Sequence, residues 1–119
     1  MRENKEDVIY EYSVGQDKGY FKQNEIYYLM AEGSYTHIYL KEEKHVLSER
    51  LKLWENRLQS APFIRIHRSY LINMEHVKNW QTDKVLLTNG EELSLGRQYK
   101  NEAKDKYLHF LGDVVRGRM

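Results

Sequence analysis

The sequence predicts a mainly β domain with two helices, and three observations carry that reading. Short runs rich in Tyr, Ile, Val and Leu recur along the chain, separated by Gly, Asn, Asp and Ser. Asn89-Gly90 lies between two such runs and is the strongest two-residue hairpin signal present, because both residue types tolerate positive φ. Apolar residues recur at helical spacing in two stretches, near residues 48–61 and 97–111.

Taken in order, residues 8–12 (Val-Ile-Tyr-Glu-Tyr) have strand composition, and Gln16-Asp17-Lys18-Gly19 is expected to turn before Tyr20-Phe21 begins a short strand. Residues 26–31 are apolar throughout, as in a strand covered on both faces. Glu32-Gly33-Ser34 supplies turn chemistry. Residues 35–40 then alternate, with Tyr35, His37 and Tyr39 on one side and Thr36, Ile38 and Leu40 on the other. These two segments should form a hairpin with its tip near residues 32–35, followed by a short strand over 44–47.

Ser48 is a good N-cap residue, with Glu49 in the favourable first turn. Leu47, Leu51, Trp54 and Leu58 form one stripe on a helix of about three turns, which Ala61-Pro62 should end. That stripe is core material. Residues 63–67 form the next strand, with Ile64 and Ile66 on the face opposite Arg65 and His67. Residues 68–73 break the alternation and are expected to hold a helical turn. Residues 77–80 and 85–88 are strands, and 92–95 returns from the Asn89-Gly90 hairpin. The closing helix, about 97–111, should carry Tyr99, Ala103, Tyr107, Phe110 and Leu111 on one side and stop at Gly112.

Composition sets the outer limits. A chain of 119 residues fits one domain, and 40% hydrophobic against 31% charged residues allows both a core and a wet surface. Ten tyrosines against one proline suit half-buried strands and binding surfaces, strand packing accounting for most of them. With no cysteine, disulfides, thiolate metal sites and cysteine nucleophiles are excluded. No long apolar run appears, and Met1-Arg2-Glu3-Asn4-Lys5 lacks the apolar core of a signal peptide, so a cytoplasmic protein without a membrane span is expected. Net charge is only +1, but residues 1–62 carry −2 and residues 63–119 carry +3. A basic half facing an anionic partner has this distribution, as does a solvated mixed surface.

Chemistry has few footholds. The five histidines, His37, His45, His67, His76 and His109, show no familiar metal-ligand spacing. No phosphate-binding glycine loop, nucleophile elbow or kinase signature is present. No catalytic residue, metal or other cofactor, and no small-molecule substrate, is therefore expected. The informative segment is Phe63-Ile64-Arg65-Ile66-His67-Arg68-Ser69-Tyr70-Leu71-Ile72-Asn73, where Arg65, His67, Arg68 and Ser69 gather as a strand gives way to a turn. A guanidinium presents a planar fork that fits guanine O6 and N7 or a phosphate, and His and Ser bond phosphate oxygens. A surface strand end with solvated charges is the alternative.

The run Arg65-Ile66-His67-Arg68-Ser69-Tyr70-Leu71-Ile72-Asn73 resembles the central signature of the LytTR family of bacterial transcription regulators. Residues 25–36 resemble that family's opening hairpin, and Asn89-Gly90 with Leu93-Ser94-Leu95-Gly96-Arg97 its closing part, so the likeness runs from about residue 8 to 111. The resemblance implies short antiparallel strands in stacked small sheets, with loops at one edge entering successive major grooves of double-stranded DNA. By position, Tyr35, Arg68 and Arg97 head the three loops, with His37 as the alternative to Tyr35, and His67, Ser69 and Lys100 on phosphates. Paired direct repeats, and hence two copies acting together on DNA, are also implied.

The expected organisation is a linker or free N-terminus over residues 1–7, the domain over 8–112, and a frayed tail over 113–119. The chain is then either a stand-alone regulator or the output domain of a response regulator in a two-component system. Two further readings stay open: a protein-interaction domain that kept the fold and lost DNA binding, and a small enzyme using His67 and arginines.

Overall fold

Residues 8–58 and 62–117 are described by the computed structural model. At their centre lies a five-stranded antiparallel sheet built from β3 (Tyr28–Glu32), β4 (Tyr35–Tyr39), β5 (Lys44–Leu47), β6 (Phe63–His67) and β7 (Tyr70–Asn73), in the order β5-β4-β3-β7-β6. A hairpin of β1 (Ile9–Val14) and β2 (Asp17–Lys22) forms a separate two-stranded sheet packed against it. The third sheet is antiparallel, β10 (Glu92–Ser94), β9 (Lys84–Leu87) and β8 (Val77–Trp80), in that order. The helices are α1 (Leu51–Arg57) and α2 (Lys100–Gly117). A mainly β fold of small stacked antiparallel sheets with two helices is what the sequence predicted.

The central sheet separates two apolar clusters. On one face Leu29, Ile38, Leu47 and Leu71 meet Leu51, Trp54 and Leu58 of the α1 segment, with Phe21 from the β1–β2 hairpin. On the other, Tyr28, Ile64, Ile66 and Ile72 meet Val85, Leu87 and Leu93 of the third sheet, Leu95 just beyond it and Ala103 of α2. Strand alternation delivers this division, since Tyr28 and Leu29, or Leu71 and Ile72, necessarily point to opposite faces.

The double covering explains one departure from expectation. Residues 70–73 form β7, not a helical turn, and the turn is confined to Arg68 and Ser69. Leu71, Ile72 and Asn73 are all buried, because β7 is an inner strand with both faces covered, and such a strand shows no alternation. The helical turn occurs later, as a 3-10 turn at Met74–His76, where the Glu75 N–H donates to Asn73 Oδ1 over 2.9 Å.

Other boundaries shift for local reasons. The first turn is Gly15-Gln16, with Gly15 at φ 62, so residues 17–19 are already strand. Ser48 does not cap α1, which has Arg50 in the N-cap position with no side-chain cap. Leu47 stays extended, paired with Thr36, and Glu49 is held by its carbonyl, which accepts from Thr36 Oγ1 at 2.7 Å, and by its carboxylate, which binds Arg57 twice at 3.1 Å. The helix is consequently only 7 residues long. Ala61, expected to help end it, lies outside the described residues. At the other end α2 starts at Lys100 and passes through Gly112 to Gly117, so Gly112 is not a stop and residues 113–117 continue the helix. Leu111 is 38% exposed there. Residues 1–7 and the last two residues of the expected tail lie outside the described residues.

Candidate nucleic-acid interface

Three turns meet at one end of the central sheet, and main-chain hydrogen bonds place them. The β3–β4 turn is Gly33-Ser34, with Gly33 at φ 61. Beside it lies the β6–β7 turn, because β7 pairs antiparallel with β3 and the Ala31 N–H donates to the Ser69 carbonyl at 2.9 Å. The segment between β10 and α2 is drawn to the same place by Gly96, whose N–H donates to the Ile66 carbonyl at 2.7 Å. The fit at Gly96 is close: a Cβ there would lie 3.2 Å from His67 Cα and from the Tyr99 ring, so those neighbours would have to give way. The Gly96 backbone does not take positive φ.

The turns present different side chains. Tyr35 heads β4 and is 54% exposed. Arg68 and Arg97 are exposed, and among the described residues neither guanidinium has a hydrogen-bonded or ion-paired partner. Arg97 lies in a turn over 97–99 before α2 begins, not in the helix that was expected from about residue 97.

His67 closes β6 half-buried. Its Nδ1 accepts from the Ser69 N–H at 3.0 Å, which requires the neutral ring to carry its proton on Nε2. Burial, then the neighbouring charges of Arg68 and Arg65, hold its pKa below the ordinary imidazole value.

Three of the sequence-predicted residues are engaged within the protein. Arg65, with a side chain 16% exposed, binds Glu55 Oε1 at 2.6 Å, the His67 carbonyl at 2.9 Å and the Arg68 carbonyl. His37 lies inside β4, its Nε2 2.6 Å from Glu32 Oε1 and its buried Nδ1 without a partner. Of the two alternatives in the first loop, Tyr35 is therefore the one turned outward. Lys100 Nζ binds Asp83 Oδ1 at 2.7 Å, and that lysine holds the Asp83 carboxyl below the usual carboxylate range. Of the cations predicted for this site, Arg68 and Arg97 are thus the exposed ones without a partner among the described residues, and Lys100 is shared with Asp83.

Among the described residues no group of three or more His, Asp or Glu is arranged to hold a metal ion. No helix there is long and apolar enough to cross a membrane.

Residues 20–107, from β2 into α2, match the family model of the LytTr DNA-binding domain. The chain belongs to the LytTR family. Over 88 residues it is 39% identical to the transcriptional regulatory protein LytR of Staphylococcus aureus strain MW2, covering 70% of this chain and 36% of that protein. Over 102 residues it is 28% identical to the sensory transduction protein LytT of Bacillus subtilis strain 168, covering 82% of this chain and 42% of that one. The chain thus spans little more than a third of the length of such relatives. Its fold is that of a LytTr DNA-binding domain of a putative methyl-accepting/DNA response regulator from Bacillus cereus. There the TM-score is 0.70 at 20% identity, over 82% of this chain and 94% of the other.

The LytTR signature led to the cations and passed over the acids that hold some of them. Glu32 was within reach of sequence reasoning: pairing Glu32 with Tyr35 puts Glu32 and His37 diagonally on one face of the hairpin. Glu55 and Asp83 had no such signal, because each meets its partner across different elements.

Proposed function

We propose that this LytTR domain binds double-stranded DNA sequence-specifically, with its three clustered turns directed into major grooves, and serves as the DNA-reading part of a transcription regulator. One observation carries the reading: Arg68 and Arg97 stand exposed, without a partner among the described residues, on two turns held together by the Gly96–Ile66 hydrogen bond. A guanidinium free of protein partners keeps its planar fork for guanine O6 and N7, whereas Arg65, already engaged, stands behind them. Tyr35 serves the first loop. The Nε2–H of His67, the Ser69 hydroxyl and Lys100, once released from Asp83, serve phosphate oxygens.

The names of the relatives, a transcriptional regulatory protein and a sensory transduction protein, support a place as the output domain of a response regulator. Two copies on paired direct repeats are part of the proposal.

Selection from a random duplex pool tests it. The chain should enrich a defined sequence, and log K on that site should fall against log salt with a slope of about −3 to −5, for roughly three to five neutralised phosphates. Arg68→Ala should cost about 1–3 kcal/mol there and relax preference at one or two base pairs. Arg97→Gln should lose at least about tenfold, near 1.4 kcal/mol. Enrichment of no sequence, with affinity indifferent to salt, sinks the reading.

A further inference from the structure

We propose that Glu55 of α1 and Arg65 of β6 form a positioning pair that fixes the pose of Arg68 without touching DNA. The inference rests on the DNA-binding reading above and assigns a role to a helix that contributes nothing to the interface directly.

The argument begins with which carbonyls Arg65 holds. Its Nε donates to the His67 carbonyl at 2.9 Å and its Nη2 donates to the Arg68 carbonyl. Those oxygens belong to the peptide units immediately before and after the Arg68 Cα. Each peptide unit is planar, so holding both leaves the φ and ψ of Arg68 little freedom and fixes the direction in which its side chain departs. The backbone needs this support here, because the β6–β7 ladder shifts register between Arg65 and His67. An irregular ladder leaves its carbonyls without the regular strand partner.

Glu55 sets the guanidinium in turn. Arg65 Nη1 donates to Glu55 Oε1 at 2.6 Å, and the Tyr99 ring centroid lies 6.0 Å from the guanidinium carbon. A guanidinium is rigid and planar, so anchoring one nitrogen while the ring bounds one face aims the other nitrogens at the turn. The side chains are 16% and 31% exposed, which screens the pair less than an open surface pair. Cutting the pair from the Glu55 side leaves Arg65 charged and free to swing toward phosphate. Sequence discrimination and bulk attraction to DNA should then move apart, which neither a direct contact nor a general packing role produces.

The test compares the wild-type chain with Glu55→Ala and Glu55→Gln. Without DNA, amide hydrogen exchange should quicken at least about fivefold in Glu55→Ala at Ser69 and Ala31, whose N–H groups bond within and onto the turn, with no change in the β8–β9 ladder. On a duplex selected by the wild type, affinity should fall at least about fivefold, while affinity for a random-sequence duplex of equal length stays within about twofold and keeps its salt slope. Glu55→Gln, which keeps an acceptor oxygen at the same length, should recover at least half of both effects. Unchanged exchange at Ser69 and Ala31 overturns the proposal, as does exchange quickened throughout the chain. Equal losses on both duplexes overturn it too, since they mark a lost phosphate contact or a damaged fold. A wild-type chain that bound neither duplex would count against DNA binding instead, and the exchange data would still decide whether Glu55 holds the turn.

Discussion

The N–H of Gly96 donates to the Ile66 carbonyl over 2.7 Å, joining the segment that carries Arg97 to the end of the strand that leads to Arg68. Two arginines 29 positions apart are thereby made parts of one surface. The approach is close enough that a methyl group at 96 would press on His67 and Tyr99 at 3.2 Å. Gly96→Ala should therefore destabilise the domain by about 1–2 kcal/mol through overpacking. It should also weaken binding to a selected duplex beyond the loss from Arg97→Gln alone, because the whole segment is pushed outward. Urea denaturation and a gel shift check both, and unchanged stability would show that the neighbours yield freely.

Asp83 restrains a cation at this surface. Its carboxylate holds Lys100 at 2.7 Å while itself 81% exposed. Asp83→Asn removes a negative charge beside the proposed DNA path and loosens Lys100. Affinity for duplex should rise about two- to fivefold at low salt, the gain shrinking as salt screens it. A loss of affinity would mean that Asp83 is needed to aim Lys100.

The lowered pKa of His67 makes stability depend on pH with a definite sign. As pH falls through about 6.5, the unfolded chain takes up a proton on this ring that the folded chain still refuses. Unfolding is then favoured progressively until the pH reaches the lower folded-state value. This contribution is full above about pH 6.5 and is lost on acidification. His67→Asn removes the titrating ring while its Oδ1 can accept the Ser69 N–H in place of Nδ1. Between pH 7.5 and 5.5, conditions of the test, wild-type Tm should drop by more than that of the variant. Parallel drops would show that His67 is not a source of the acid sensitivity.

Asn73 is fully buried and ties its own strand end to a segment 47 to 50 positions away. Its Nδ2 donates to the carbonyls of Gln23 at 3.2 Å and Ile26 at 2.9 Å, and its Oδ1 accepts from the Glu75 N–H at 2.9 Å. Asn73→Ala would leave these groups without their partner in a dry place, at a cost of about 2–4 kcal/mol. Asn73→Asp should be worse at neutral pH, since it sets a carboxylate against two carbonyls, and should recover on acidification. Calorimetry distinguishes the two. A Tm for Asn73→Ala within a degree or so of wild type would mean that water replaces the side chain.

Local pattern carried much of the fold. The alternation of residues 35–40 and 63–67 marked strands with one face in the core. Asn89-Gly90 marked its hairpin, although only Gly90 takes positive φ, at 93. The order of motifs gave the family and, with it, the end of the sheet where Arg68 and Arg97 lie. What local pattern could not carry was anything settled by a second element. Residues 70–73 lost their alternation because sheet and helix cover opposite faces, and Ser48 yielded to the bracing of Glu49 by Thr36 and Arg57. Arg65, His37 and Lys100 carry the same charge or donors in the sequence as any other residue of their type. Glu55 and Asp83 occupy Arg65 and Lys100 only because chain packing brings those acids within 2.7 Å, whereas Glu32 meets His37 within one hairpin. Residue type and periodicity are properties of the strand or helix itself, so the sequence alone determined which side chains an interface could draw upon. Which of them remain free is a property of distances between elements, and those exist only once the sheets have stacked.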